Sequence, residues 1–283
     1  MFRPFVIALF LFIAPLAAQT DSADRPLVRL TLRDGSELIG TVIARDSLTL
    51  SFTTAGGVPL TFPASQVATV DALSGSVRKG RYFRSDPNAT RLFFAPTGRS
   101  LGAGRGYFSA YQIFFPFIAV GVGDHLILAG GMTLFPGASS QLLYFAPKVT
   151  PLRSENFSLA TGMLYMTAGG NDDGTGIYYT VATLGSDPFA LTLGAGWGFS
   201  GDRIAEEPVL LLGGELRLSN STKLISENWF IPGSSTNIVS FGIRFFGDNL
   251  AADLGFINLP GSEMAGFPFI PWLGFAYNFG KTP

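Results

Sequence analysis

Residues 189 to 199 read FALTLGAGWGF. The odd positions (Phe189, Leu191, Leu193, Ala195, Trp197, Phe199) are mostly large and apolar, while the even ones (Ala190, Thr192, Gly194, Gly196, Gly198) are nearly bare. Successive side chains of a strand point to opposite faces, so this ribbon has one greasy side and one small side. The pattern recurs. Val239, Phe241, Ile243 and Phe245 oppose Ser240, Gly242 and Arg244; Leu250, Ala252, Leu254 and Phe256 oppose Ala251, Asp253 and Gly255. Leu273, Phe275, Tyr277 and Phe279 oppose Gly274, Ala276 and Asn278.

A water-soluble sandwich also alternates, but it turns the greasy face in and a charged face out. Here the second face is Gly, Ala, Ser and Thr, and charged residues are only 14% of the chain, against about 25% in a typical soluble domain. The small face suits an interior, so the large face points outward and requires lipid. Within a bilayer every backbone polar group must be paired inside the protein, which strands achieve only by closing into a barrel. Residues 126–147 carry no charge and are long enough for a spanning helix. Their Gly130-Gly131, Pro136-Gly137 and Ser139-Ser140 pairs read instead as a hairpin.

Twelve alternating segments follow: 91–95, 107–122, 126–135, 142–152, 157–168, 177–185, 189–200, 209–218, 223–231, 238–246, 250–259 and 269–280. The first is the faintest, and ten is the alternative count. Every second connection is tight (123–125, 153–156, 186–188, 219–222, 247–249), and the others are longer. That asymmetry is expected of an up-and-down barrel with short periplasmic turns and longer outer loops. An even count places both chain ends at the short-turn end.

Before the barrel come three other segments. Arg3 followed by the apolar run Pro4–Ala18 predicts a signal peptide over residues 1–19. Residues 27–73 hold five short strand patterns punctuated by Asp34-Gly35 and Gly56-Gly57, as in a small β-barrel. Residues 74–90, rich in Lys and Arg, read as a solvated linker before the barrel of 91–283. There is no Cys and the net charge is −1, so disulfides, Cys-bound zinc and a nucleic-acid partner are excluded.

The string LRDGSELIGTVI resembles Sm-like and SH3-like small barrels, which implies an interaction or scaffold module over 27–73. The signal peptide, the repeated outward-aromatic ribbons and the closing WLGFAYNFG resemble bacterial outer-membrane β-barrel proteins. That resemblance implies an all-β transmembrane barrel, outer-membrane lipid around it, and assembly by the barrel-insertion machinery.

Candidate chemistry is sparse. His125, the one histidine, lies in the tight turn GDH with no placed nucleophile. Gly196, Gly198 and Gly201 form GxGxxG on a strand that no helix follows, so dinucleotide binding is not implied. Asp172 and Asp173 lack the ligand spacing of a calcium loop. No cofactor, metal or catalytic residue is expected. The informative polar set points inward: Glu215, Arg217, Glu227, Arg244 and Asp253. Charges facing lipid would cost about 2–4 kcal/mol for basic residues near mid-bilayer, so they belong in the lumen. Either they pair across strands as a structural plug, or they line a polar path for solutes. Phe114, Phe115, Trp229, Phe269 and Trp272 are expected in aromatic girdles at the membrane interfaces. Three functions fit: a passive pore or transporter for small solutes, a non-conducting anchor displaying the N-terminal module to a periplasmic protein, and a lipid-modifying barrel enzyme.

Overall fold

Alternation without internal breakers becomes strand along most of the chain. The computed structural model describes residues 25–168, 173–233, 237–260 and 268–280. The segment read as a signal peptide and Asp172 lie outside the described residues.

The N-terminal sheet contains β1 (Leu27–Leu32), β2 (Glu37–Arg45), β3 (Thr49–Thr54), β4 (Pro59–Pro63) and β5 (Val67–Ala72), in the order β4-β3-β2-β1-β5. Val28, Leu30, Leu50 and Phe52 form its buried core. The β1–β2 turn rests on Gly35 at φ 87°, a left-handed conformation that glycine adopts without strain. Residues 74–90 differ from the expected linker. They contain a hairpin, β6 (Gly75–Arg78) and β7 (Arg81–Arg84), and then a stretch with Asp86, Asn88 and Thr90 buried. Basic residues without periodicity look solvated in sequence, but beyond β7 Asp86 pairs with Lys223 and Arg244, and Asn88 Oδ1 accepts from Asn278, inside the protein.

The remaining strands are β8 (Gly106–Tyr111), β9 (Phe115–Val122), β10 (Leu126–Met132), β11 (Leu143–Phe145), β12 (Lys148–Arg153), β13 (Phe157–Thr167) and β14 (Thr175–Ser186). They continue as β15 (Phe189–Ser200), β16 (Arg203–Ile204), β17 (Val209–Ser219), β18 (Thr222–Phe230), β19 (Ile238–Phe246), β20 (Leu250–Asn258) and β21 (Phe269–Phe279). Neighbours pair antiparallel, and β21 closes on β8 from Gly274↔Tyr111 to Phe279↔Gly106. The outcome is a closed barrel of twelve staves, the number expected but not the same twelve.

Two errors in the sequence reading cancel. Residues 91–95 form no stave. The segment 107–122 is two staves, because the chain reverses at Gln112 and Ile113, both at positive φ. No Gly, Pro, Asn or Asp marks that turn, so the pattern runs through it unbroken. β11 and β12 are halves of one stave, since both pair with β10 and β13 on either side of Ala146-Pro147. Proline has no N–H to give a ladder, so the pairing breaks there.

The outward face carries Phe108, Leu128, Phe157, Trp197, Leu212, Phe241, Leu254 and Phe275, all exposed. Inward positions are small or polar: Ala119, Ser158, Thr183, Thr192, Ser240 and Ala276 are buried. The connections 123–125, 154–156, 187–188, 220–221 and 247–249 lie at the end where β8 begins and β21 stops, whereas the equally short turn 112–114 lies at the opposite end.

Candidate functional site

The bare inward face accommodates another part of the same chain. Between β7 and β8, residues 85–101 run into the barrel, turn, and return. Leu92 N donates to Ala95 O at 2.8 Å and Thr97 N to Thr90 O at 3.0 Å, closing a short hairpin around Phe93-Phe94. Asn88, Leu92, Ala95 and Thr97 have no exposure. Leu92, Phe93 and Ala95 pack against Ala160, Val181, Leu211 and Ile225, from four different staves. A Cβ on Gly213 would meet Leu92 Cδ1 at 2.1 Å, and one on Gly98 would meet Ser158 O at 2.2 Å. Glycine at these positions is what lets hairpin and wall approach.

Both limbs pass the tight-turn end. On the way in, Arg84 N donates to Asn220 Oδ1 at 2.8 Å and Arg84 Nε pairs with Asp248 Oδ1 at 2.6 Å. On the way out, Gly104 N donates to Gly121 O at 3.1 Å.

The wall holds the hairpin through charge. Arg244, fully buried, donates from Nε to Asp253 Oδ1 at 2.6 Å and from Nη1 to Asp86 Oδ2 at 3.1 Å. Nη1 also reaches the carbonyls of Asn88 and Arg91, and Nη2 donates to the Leu92 carbonyl and to Asp253 Oδ2 at 3.1 Å. Arg91 Nη1 donates to Asp253 Oδ2 at 2.5 Å and to the Phe93 carbonyl at 2.9 Å, with the guanidinium 5.1 Å from the Tyr111 ring centroid. Lys223 Nζ sits 3.3 Å from Asp86 and 3.2 Å from Glu215, whose other oxygen takes Arg99 at 2.5 Å. Lys148 Nζ donates to the carbonyls of Thr90, Thr97 and Arg99 at 2.8–3.1 Å, which uses all three hydrogens of an ammonium. Glu227 Oε2 accepts from Phe94 N at 2.9 Å and Ala95 N at 3.0 Å. Buried charges are tolerable when ion pairs or full hydrogen bonding offset their desolvation: Arg244, Arg91, Asp86, Asp253, Glu215 and Lys223 have ion partners, while Lys148 and Glu227 rest on hydrogen bonds.

Each expected lumen residue is therefore placed. Glu215, Glu227, Arg244 and Asp253 are buried and bind the hairpin. Arg217 lies at the tight-turn end, paired with Asp187 and donating to the Arg84 carbonyl at 2.8 Å. Sequence reasoning missed Lys148, Lys223, Asp86, Arg91 and Arg99. Lys223 shares the parity of Glu227 on β18, so a signal existed; Asp86, Arg91 and Arg99 lie in irregular chain, where periodicity is silent.

The girdle assignment needs correction at three positions. Trp229 and Trp272 face inward and pack on the hairpin cluster, with Trp272 stacked on Tyr111 at 6.0 Å. Parity explains it: Trp229 follows Glu227 by two residues, and Trp272 precedes inward Gly274 by two. Phe115 also lines the interior, with its ring edge-on to Phe135 at 5.4 Å. Phe114 packs on Phe135, and Phe269 packs on Phe241 and Phe256.

Alongside the hairpin and toward the long-loop end, the lumen holds two hollows. One hollow of about 120 Å³ is walled by Arg91, Lys148, Tyr107, Phe117, Tyr179 and Leu211. A second of about 290 Å³ is walled by Phe93, Phe115, Tyr144, Met166, Ile257 and Trp272. Phe94, Tyr111, Leu164 and Trp229 border both.

His125 is a turn residue, its Nδ1 donating to the Thr150 carbonyl at 2.7 Å. Among the described residues no group of three or more His, Cys, Asp or Glu could hold a metal ion.

No family model matches the chain, and no curated protein matches it. Among solved structures it is similar to the KdgM porin, at 11% identity and a TM-score of 0.47 over 62% of this chain and 98% of that one. A mutant of the Rh. blastica porin matches at 11% identity and a TM-score of 0.35, over 90% of this chain and 99% of that one. Neither likeness decides what this lumen does.

Proposed function

We propose that the chain is an outer-membrane β-barrel that passes a small solute when the hairpin of residues 85–101 is displaced. The carrying observation is that the obstruction is a separate length of chain, joined to the barrel at the tight-turn end and held there by side chains. It is not part of the wall. The exposed apolar outer face fits bilayer lipid. Short connections then face the periplasm, where the β1–β5 sheet serves as a module for a periplasmic protein partner, and the barrel-insertion machinery assembles the staves.

Planar-bilayer recording tests this. The whole chain is expected to be closed, and a variant with residues 86–101 replaced by a Gly-Ser linker is expected to conduct steadily. A deletion variant that shows heat-modifiable gel mobility yet never conducts would overturn the reading. The second reading, a non-conducting anchor, is favoured by the density of the Arg244 network, and it requires silence from both proteins.

A further inference from the structure

The β6–β7 hairpin gathers like charges with nothing to balance them. Its two-residue turn is Lys79-Gly80, both at positive φ (49° and 72°), a geometry that matches the twist of the paired strands. The turn sets Arg78 directly opposite Arg81. Cross-strand partners share a face, and like charges so placed repel. Lys79 adds a third cation at the apex. None of the three forms an ion pair among the described residues. Lys79 and Arg81 are exposed, and Arg78 lies with its guanidinium 5.9 Å from the Phe83 ring centroid. The turn packed against this tip supplies no acid: a Cβ on Gly80 would sit 3.4 Å from Gly56 Cα, and residues 55–58 read AGGV. At the same end of the sheet Asp34 accepts from Ser36 N at 2.8 Å, and Glu37 lies 3.7 Å from Arg29. Val58 and Val77 are exposed beside the cations, so the surface is basic and apolar together.

Position indicates the partner. Arg84, at the other end of β7, is bonded to Asn220 and Asp248 in the tight turns of the barrel. Arg81 precedes it by three residues, so their Cα atoms are at most about 10 Å apart. The apolar outer face of the staves sets those turns at the surface of the bilayer. The screening length in physiological salt is about 8 Å, so the tip stands where the charge of a leaflet is felt. We propose that Arg78, Lys79 and Arg81, with Val58 and Val77, seat on the anionic phospholipid surface around the tight turns and hold the β1–β5 sheet against the membrane. Lipid fits better than an acidic protein because the barrel keeps the tip beside lipid at all times. The inference requires the barrel to lie in a bilayer and does not require the lumen to conduct.

The chain has no cysteine, so Val58→Cys gives a single attachment point for a bimane label. The labelled full-length protein is placed in nanodiscs of phosphatidylcholine with or without phosphatidylglycerol, each containing a headgroup-spin-labelled lipid that quenches bimane. Strong quenching is expected only with phosphatidylglycerol, and it is expected to fall in about 1 M salt, where the screening length shrinks to about 3 Å. Arg78→Gln, Lys79→Gln and Arg81→Gln are each expected to lower the ratio of docked to free label about fivefold. Arg81→Lys is expected to leave it unchanged, since a diffuse surface charge asks for no bidentate geometry. The salt step needs no charge variant and stands if one of them fails to fold. Equal quenching in the two lipids, or quenching indifferent to salt and to all three Gln substitutions, would overturn the proposal. Polyglutamate that shields the label from acrylamide more than phosphatidylglycerol does would assign the tip to an acidic protein and overturn it as well. A chain that docks in this way yet stays silent after hairpin deletion keeps this inference and loses the transport reading. One that conducts after deletion but is quenched equally in both lipids loses only this inference.

Discussion

Arg244 and Asp253 face each other from adjacent staves, Nε to Oδ1 at 2.6 Å, and each keeps part of its hydrogen-bonding capacity for the hairpin between β7 and β8. Asp253 gives its second oxygen to Arg91, and Arg244 gives the hydrogens of Nη1 to Asp86 and to backbone carbonyls. The wall pair is thus a receptor for a segment of its own chain.

Arg244→Ala leaves Asp86 and Asp253 buried without their shared cation. Breaking such a network from one side costs about 3–5 kcal/mol. The expected result is fast hydrogen exchange across residues 86–97 while the staves stay protected and the barrel keeps its heat-modifiable mobility. Arg244→Lys is expected to restore little, since one ammonium cannot reproduce a planar donor that reaches two carboxylates and three carbonyls.

Gly213→Val places a side chain where Leu92 Cδ1 now sits. Overpacking of this kind costs about 1–3 kcal/mol, and the strain falls on the hairpin because Gly213 lies within a paired stave. A double-mutant cycle with Leu92→Ala checks it: the combined variant is expected to be more stable than the sum of the single losses requires.

The three tryptophans separate the two faces. Trp197 is 41% exposed on the outer surface, whereas Trp229 and Trp272 pack on the hairpin cluster. In single-Trp variants reconstituted with brominated lipid, strong quenching is expected for Trp197 and weak quenching for the other two. Equal quenching of all three would count against the inward placement.

Glu227→Ala removes the acceptor for Phe94 N and Ala95 N. Each buried N–H left unpaired costs about 1–3 kcal/mol. Amide exchange at residues 94 and 95 is expected to accelerate well before that at residues 88–91. Glu227→Gln, which keeps one acceptor oxygen, is expected to give a smaller effect.

The barrel was legible because its staves obey a period of two, and each inward charge inherited its facing from that period. Arg244 and Asp253 could be assigned to the lumen from parity alone, and so could Lys223, had the rule been applied throughout β18. Trp229 and Trp272 were misread for the opposite reason: residue type was allowed to outweigh parity. The turn at Gln112-Ile113 left no mark, because its positive φ angles fall on residues that rarely adopt them. The hairpin was illegible in kind. Residues 85–101 have no repeating pattern, and their fold is set by partners on staves up to about two hundred positions away, such as Asn278 donating to Asn88 Oδ1. Local periodicity carries no information about such contacts.

The two limbs leaving by one mouth have a mechanical meaning. Tension on the β1–β5 sheet would reach Arg84 first, then Asp86, Asn88 and Arg91 in turn, so contacts would yield one after another as a zip fastener does. Threaded straight through, the same strand would have to shear every bond at once. A pull from the tight-turn end therefore breaks the contacts in sequence, while the returning limb keeps the hairpin tethered to β8.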